Sequence, residues 1–243
     1  METPPNYTPF KFKLPYGASV TLKLLFVGLL TLVLLIPAVW IMALIEERQQ
    51  RAEDVMEEIA TKWSGQQTLG GPILVIPYTV SETLRNSAGE ERTVQHVEYA
   101  YFLPEQLSIT GKVEPEVLNR GIFDAVVYRS TLSTRAKFKA PDFAALDIPT
   151  ESVQWANARF VVGVEDLGGI SVTPVFSSGG TKLNTEPVAD IYGRENVAVR
   201  SATPGIASKA GWSSASDFKP DVDFTLNLKG SQSLNFIPVG KET

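Results

Sequence analysis

The hydrophobic residues of this chain form one long block near the start and many short runs after it. Residues 24–45 hold no charged side chain and include fifteen Leu, Ile, Val or Phe residues. A helix of this length can cross a hydrocarbon layer of about 30 Å. Pro37 lies inside the block, and lipid-embedded helices tolerate proline. The pattern therefore predicts a transmembrane helix over residues 24–45.

A cleaved signal peptide and a buried core helix are the alternatives to a membrane anchor. A signal peptide has an apolar core of about 7 to 15 residues, followed by a cleavage site of small residues. Here the apolar block is longer, and it passes through Trp40 directly into the charged residues Glu46, Glu47 and Arg48. A buried helix that is apolar on all sides over such a length is rare. The pattern favours an uncleaved anchor.

A second helical pattern follows the block. Apolar residues recur at helical spacing between Glu, Arg, Gln, Asp and Lys, and they are Ala52, Val55, Met56, Ile59, Ala60 and Trp63. This stripe predicts an amphipathic juxtamembrane helix over residues 46–65, which Ser64 and Gly65 end. The stripe either docks on the domain that follows or carries motion between that domain and the membrane, and the two roles are compatible.

From residue 66 onward the apolar residues alternate over short runs bounded by Gly, Pro, Asn, Asp and Ser. The clearest alternation is in Asp221–Lys229, where four residues would face a core: Val222, Phe224, Leu226 and Leu228. Further strand-like runs cover residues 73–80, 93–103, 121–132 and 153–164. Residues 176–185 (FSSGGTKLNT) have the composition of an exposed loop.

These elements predict a mainly β fold class for residues 66–243, as an antiparallel sandwich or curled sheet. One long transmembrane plus juxtamembrane α-helix precedes it. The Lys/Arg count on the two sides of the block is a tie, with Lys11, Lys13 and Lys23 before it and Arg48, Arg51 and Lys62 after it. The short tail of residues 1–23 is rich in Pro, Lys and aromatics, so we expect it in the cytoplasm and the large domain outside.

Composition removes several classes of function. The net charge of −5 is spread over mixed signs, which gives no electrostatic footprint for nucleic acid. With no cysteine and one histidine, the chain predicts no disulfide, no zinc site and no bound cofactor. The partner that the pattern does imply is the lipid bilayer.

Candidate catalytic groups are sparse. The single histidine, His96, stands beside Glu98 on a strand, where a surface pair is the better interpretation. No nucleotide-binding or nucleophile-elbow motif occurs. Two carboxylates can hydrolyse a glycoside, and the acidic pairs are Glu165 with Asp166 and Asp221 with Asp223. Solvated strand edges explain these pairs better, so no catalytic residue is predicted. The alternative is an envelope hydrolase that acts on carbohydrate through Glu165 or Asp166.

Residues 46–78 (EERQQRAEDVMEEIATKWSGQQTLGGPILVIPY) resemble the CreD family of bacterial inner-membrane proteins. Further matching segments are residues 102–104, 120–130 and 234–240. The motif positions taken as candidate functional residues are Glu47, Arg48, Gln49, Arg51, Trp63, Gln67, Thr68, Gly71, Pro72, Pro77, Tyr78, Arg120, Gly121, Tyr128 and Arg129. The resemblance implies the inner membrane, a periplasmic domain without known catalysis, and a role in envelope integrity, β-lactam response and a two-component regulon. Envelope proteins or cell-wall components are the partners it implies.

The sequence departs from this family at three points. Ser64 stands where the family usually has the glycine of a Trp-Gly pair, and Gly168-Gly169 stands where Arg-Gly is expected. Family members continue into further membrane helices, so the resemblance implies an N-terminal half with an incomplete β domain. The last strand-like run, residues 233–239, has too few residues after it to supply a partner strand. We therefore expect it to leave an unpaired apolar edge.

Overall fold

The computed structural model describes residues 16–85, 91–120, 123–193 and 202–240, and the chain divides into two compact units at Asp54. The described residues of the first unit belong to helix α1, which runs without a break from Tyr16 to Trp63 and so ends in the second unit. Within the described part, α1 is the helix long and apolar enough to cross a membrane. Its side chains from Leu24 to Ile45 are all exposed in the isolated chain, as expected of a surface that faces lipid.

The second unit, from Val55, contains two six-stranded sheets. The first sheet consists of β1 (Gln67–Arg85), β2 (Glu91–Phe102), β5 (Arg159–Val164), β9 (Thr185–Val188), β10 (Gly205–Lys209) and β12 (Leu234–Ile237). The second consists of β3 (Gln106–Arg120), β4 (Phe123–Lys137), β6 (Ile170–Val172), β7 (Phe176–Ser178), β8 (Thr181–Leu183) and β11 (Asp221–Gly230). The strand orders are β12-β1-β5-β10-β9, with β2 also on β1, and β3-β4-β11-β7-β8, with β6 also on β11.

The two sheets share one hydrophobic core, so the unit is a β-sandwich. On β11 the residues Val222, Phe224, Leu226 and Leu228 are buried and their neighbours Asp221, Asp223 and Thr225 are exposed, as their alternation predicts. From the first sheet, Leu74, Ile76, Phe160 and Val162 enter the same core. Apart from the parallel pair β1–β12, the described strand pairs are antiparallel. The predicted fold class is therefore confirmed.

The helical stripe packs against the second sheet. Val55, Met56, Ile59 and Trp63 contact Ala125 and Val127 of β4 and Leu118 of β3. Helix α1 ends at Trp63, directly before the predicted stop at Ser64 and Gly65. The docking role predicted for this stripe is thus confirmed for the part of the helix that lies in the second unit.

Two of the predicted strands have bounds that differ clearly from the expectation. The run at residues 73–80 belongs to the longer β1, which continues through Pro72 and Pro77. Pro72 lies at a register shift between Gly70 and Ile73, and Pro77 lies beyond the pairing with β5, so neither ring removes a ladder hydrogen bond there. The predicted run at residues 153–164 is a strand only from Arg159. Before it, Thr150–Ser152 and Trp155–Asn157 are 3-10 turns. Between them Val153 makes only an isolated bridge to Tyr78, and the Gln154 N–H donates to the Pro77 carbonyl.

The prediction of an exposed loop at residues 176–185 was wrong. This segment contains the hairpin β7–β8, which turns at Gly179 and Gly180, both with positive φ. Phe176 is fully buried and stacks on Phe224, with ring centroids 4.6 Å apart. The packing of Phe176 in the core therefore fixes the hairpin, although the other residues of the segment are mostly polar and suggest a loop.

The last strand has a partner, contrary to expectation, but one of its edges is unpaired among the described strands and carries apolar side chains, as predicted. Strand β12 pairs in parallel with the start of β1, with Gln67 opposite Leu234 and Gly70 opposite Ile237. No described strand pairs with the other edge of β12, where Phe236 and Ile237 are exposed. The partner was missed because it lies at the opposite end of the domain sequence.

Candidate functional site

The motif positions suggested by the family resemblance fall into three places in the structure. Four of them, Glu47, Arg48, Gln49 and Arg51, lie on α1 in the first unit and are exposed. Arg51 Nη2 lies 2.6 Å from Glu47 Oε1, and Gln49 donates to Glu53 at 3.0 Å. Both pairs are one helical turn apart and support the helix weakly. Gly121 and the side chain of Arg120 lie outside the described residues.

A second group meets where α1 ends, at a site we call the junction. It consists of Trp63–Gly65, Gln67, the turn Asp166–Gly169, Tyr128 and Arg129 of β4, and the segment Lys229–Ser233. Trp63, Gln67, Tyr128 and Arg129 are motif positions. All of these residues belong to the second unit.

Gln67 is the centre of the junction and is fully buried. Its side-chain Nε2 donates to Ser64 Oγ at 2.7 Å, to the Asp166 carbonyl at 3.0 Å and to the Lys229 carbonyl at 3.4 Å. Its Oε1 accepts from the Asp166 N–H at 3.4 Å, and its own N–H donates to the Ser233 carbonyl at 2.8 Å. One amide therefore ties the end of the helix to both sheets, with its donors and its acceptor all used.

Ser64 makes the turn from the helix into β1. Its φ of 106° lies in the left-handed region, where glycine is favoured, and this accounts for the glycine that the family usually has here. The serine hydroxyl compensates by donating to Asp166 Oδ2 at 2.6 Å. The departure at residue 64 thus adds a charge-assisted hydrogen bond to the junction.

The turn after β5 completes the junction. Asp166 Oδ1 accepts the Gly168 N–H at 2.8 Å, so both carboxylate oxygens are bound. A β-carbon on Gly169 would overlap Gln67 Nε2 and lie 2.8 Å from the Lys229 carbonyl, so a side chain here would displace the glutamine. The arginine expected before Gly169 is replaced by Gly168, whose N–H orients the aspartate.

Trp63 covers the junction beside two cations. The Arg129 guanidinium lies 4.7 Å from the centre of the indole ring and the Lys229 ammonium 5.6 Å from it. The indole N–H donates to the Tyr128 carbonyl at 3.4 Å, and Arg129 also contacts Glu116 at 3.3 Å. Cation–π contacts at such exposed sites contribute about 0.5–1 kcal/mol each.

Tyr128 closes the inner side of the junction. Its hydroxyl donates to the Ser233 carbonyl at 2.8 Å, and burial raises the pKa of this hydroxyl. The tyrosine ring occupies the space that a side chain on Gly230 would need. The end of β11 is therefore held against β4 by packing as well as by hydrogen bonds.

The third group of motif positions follows β1 away from the junction and comprises Thr68, Gly71, Pro72, Pro77 and Tyr78. Gly71 has a φ of 108°, and a β-carbon there would lie 2.9 Å from the Val161 carbonyl, so the position requires glycine. Tyr78 donates to Glu98 at 2.7 Å, and His96 lies 3.1 Å from the same carboxylate. This exposed cluster matches the surface pair expected for the histidine.

The hydroxyl of Tyr78 offers a test of this cluster by pH. Its hydrogen bond to Glu98, together with burial and the negative charge of Glu98, raises the pKa of Tyr78 to about 12. Glu98→Gln is expected to return this pKa toward the ordinary value of 10.0, measured by ultraviolet difference absorbance of tyrosinate. Because the folded hydroxyl holds its proton longer than the unfolded one, its contribution to stability is present below pH 10 and is lost as the pH rises to about 12. Glu114→Gln is the control, and an equal shift there would contradict the assignment.

Of the two acidic pairs considered for hydrolysis, Glu165 and Asp166 face different sites, whereas Asp221 and Asp223 share one exposed surface. Glu165 is exposed and interacts with Gln66 at 3.4 Å on the outer face of the first sheet, whereas Asp166 faces the junction. Asp221 and Asp223 lie on the outer face of β11, in a surface depression of about 520 Å³ that Arg135 and Lys137 also line. Asp223 is 3.6 Å from Arg135. Among the described residues no cluster of His, Asp and Glu is suited to hold a metal ion.

Sequence reasoning missed the partners of Gln67. Asp166 was considered as a hydrolytic carboxylate and Gly169 as a departure from the family, and Lys229 and Ser233 belonged to strand-like runs. None of them was connected with Gln67. Asp166 lies 99 positions from Gln67 and Lys229 lies 162 positions away, so no local pattern connects them. The strongest available signal was the double glycine at 168–169 after an aspartate, which suits a tight turn.

Comparison with known proteins identifies one family. A family model described as "Inner membrane protein CreD" matches residues 19–243. The chain is 28% identical over 215 residues to a protein named "Inner membrane protein CreD" from Escherichia coli (strain K12). That alignment covers 87% of this chain and 45% of the relative, so the chain spans about half the length of that relative. No solved structure matches.

Proposed function

This chain belongs to the CreD family of inner membrane proteins, and we propose that it supports envelope integrity through a β-rich domain that binds or senses a periplasmic component without catalysis. In this proposal residues 1–23 lie in the cytoplasm, residues 24–45 cross the membrane, residues 46–65 form the juxtamembrane helix, and residues 66–243 lie in the periplasm. Envelope proteins or cell-wall components are the partners.

The junction is the observation that carries this proposal. Gln67 and Asp166 use their polar side-chain atoms on Ser64, Gly168 and the backbone of the two sheets. Such a network positions elements and offers no poised acid, base or nucleophile. Its role is to hold the end of α1 in one arrangement relative to the sandwich core.

A sensing domain also needs a route to the membrane. Helix α1 is continuous from Tyr16 to Trp63, and Trp63 directly precedes the buried residues of the junction. A change in β1 or in the turn at Asp166 would alter the hydrogen bonds of Ser64 and Gln67, and with them the end of α1. We propose that this is how occupancy of the domain reaches the membrane helix.

The orientation of the chain is tested by reporter fusion. A reporter that is active only in the periplasm, fused after Thr243, is expected to be active, because one candidate membrane-spanning helix precedes it in the described part of the chain. The matched fusion carries a reporter that is active only in the cytoplasm, and it is expected to be silent. The reverse pattern would place the β domain in the cytoplasm and overturn the proposal.

The envelope role is tested by complementation. A strain lacking the gene is expected to lose tolerance to detergent or to a β-lactam, and the wild-type chain should restore it. The double variant Asp221→Asn/Asp223→Asn should restore growth equally, because these exposed carboxylates have no proposed chemical role. A Gln67→Leu chain at equal membrane abundance should restore less. Loss of complementation by the aspartate variant would instead favour a hydrolase that acts through the other acidic pair, Asp221 and Asp223.

A further inference from the structure

The outer face of the first sheet contains a groove of about 380 Å³ that the junction does not use. We call it the outer groove. Its lining residues include Gly70 and Gly163 and the apolar side chains of Ile73, Ile191 and Ile237. The volume lies within the range of about 300–1,000 Å³ found for small-molecule sites. The face that these strands turn away from the core is therefore concave and apolar.

Gly70 is the most informative residue of the outer groove. Its φ is not in the left-handed region, so its backbone does not require glycine. A β-carbon there would meet only Ile237, at 3.8 Å, which is an ordinary packing distance. Glycine inside a strand weakens it, and often marks a place where a ligand approaches the backbone closely. A methyl group would therefore fit at Gly70. Because glycine has no side chain, that space is part of the outer groove.

Two other glycines that line the outer groove are explained by backbone conformation or packing, and in this they differ from Gly70. Gly71 needs its positive φ, and a β-carbon on it would press on the Val161 carbonyl. A β-carbon on Gly163 would lie 3.3 Å from the side chain of Ile191, which leaves little room. Packing and backbone conformation explain these two residues, whereas they leave Gly70 unexplained.

The charge of the outer groove defines the ligand. Among the described residues that line it, Glu165 is the one charged side chain, and the amide of Gln66 contacts its Oε2 at 3.4 Å. A carboxylate at the end of an apolar groove attracts a cation and repels an anion. An ammonium group bound there can donate to the carboxylate while the apolar body lies against the isoleucines and the bare strand.

We propose that the outer groove binds a small organic primary amine, with its ammonium group on Glu165 and its apolar body over Gly70. This inference rests on the proposed binding role of the domain and names the chemical class of its ligand. The site also adjoins the junction along the chain, because Gln66 and Glu165 line the groove while their neighbours Gln67 and Asp166 belong to the junction.

The test uses the full chain in lipid nanodiscs and three probes of similar shape: benzylamine, benzyl alcohol and benzoate. Saturation-transfer difference NMR, with empty nanodiscs as the blank, is expected to show saturable binding of benzylamine and much weaker binding of the other two. Glu165→Gln should weaken benzylamine binding about tenfold, as loss of a charged hydrogen bond does. Glu186→Gln, an exposed carboxylate on β9 of the same sheet, is the matched control and should change nothing.

Gly70→Ala and Gly70→Val test the location. Alanine fits beside Ile237, so the alanine variant should fold with an unchanged far-ultraviolet spectrum and bind benzylamine more weakly, and valine should abolish binding. Equal binding of benzoate, or benzylamine binding that survives both substitutions at Gly70, would overturn the inference. Those outcomes leave the reporter and complementation results untouched, so failure of this site is distinguishable from failure of the proposed function.

Discussion

Replacing Gln67 by leucine is expected to lower the free energy of unfolding of the β-rich unit by about 3 kcal/mol. Leucine has a similar size but no amide, so Ser64 Oγ and the carbonyls of Asp166 and Lys229 lose a buried donor. For a domain of this size the thermal midpoint should fall by about 6–12 °C. Circular dichroism of the detergent-solubilised chain measures both the midpoint and the retained β structure.

Two further substitutions make this prediction specific to the amide. Gln67→Glu should be more damaging than leucine, because a carboxylate would face three oxygen atoms where donors are needed. Gln66→Leu, at the exposed preceding position, should shift the midpoint little. If the leucine variant unfolds with the wild-type midpoint, the buried network contributes no net stability and the junction loses its proposed role.

Ile59→Asp is the second substitution with a large expected effect. Ile59 is 7% exposed and contacts Ala125 and Val127 of β4. A carboxylate buried there without a partner costs several kcal/mol, which exceeds what the short docked stripe can offset. We expect the end of α1 to separate from the second sheet while the sandwich remains folded. Hydrogen exchange of the amides from Val55 to Trp63 should therefore accelerate far more than exchange in β11.

The control for Ile59 is Glu57→Lys, on the exposed face of the same helical segment. It reverses a charge without entering the packed stripe, so exchange should stay near the wild-type rate. Equal acceleration in both variants would mean that the stripe is not held by burial. Acceleration in β11 as well would mean that the docked helix is part of the global fold of the sandwich.

Local patterns predicted the elements whose structure is determined by their own residues. The alternation in β11 places its four apolar residues in the core, and the stripe from Val55 to Trp63 packs as one helical face. The hairpin at Gly179 was missed because a single buried aromatic, Phe176, outweighs its polar neighbours. Periodicity reports which face of an element is apolar, but it does not report the distant segment that face meets.

The junction shows the same limit at the level of the site. The family resemblance singled out Trp63, Gln67, Tyr128 and Arg129, and these residues do lie together in space. It could not say why, because the hydrogen-bond acceptors of Gln67 are mostly backbone carbonyls, which leave no mark on the sequence. The proposed role of Gly70 could not be predicted either. The sequence does not distinguish a glycine that packing requires from one that it does not.

The parallel pairing of β1 with β12 determines when the junction can close during synthesis. The Gln67 N–H can bond to the Ser233 carbonyl, and Leu69 can pair with Phe236, only after the strands from β2 to β11 have been translated. Contacts of such long sequence separation form slowly, since much of the chain must be ordered before they close. A nascent chain halted before Ser233 would thus carry an anchored helix and most of both sheets, yet lack the bonds that bring β1 to β12. Emergence of β12 from the ribosome is therefore the event that lets the junction close.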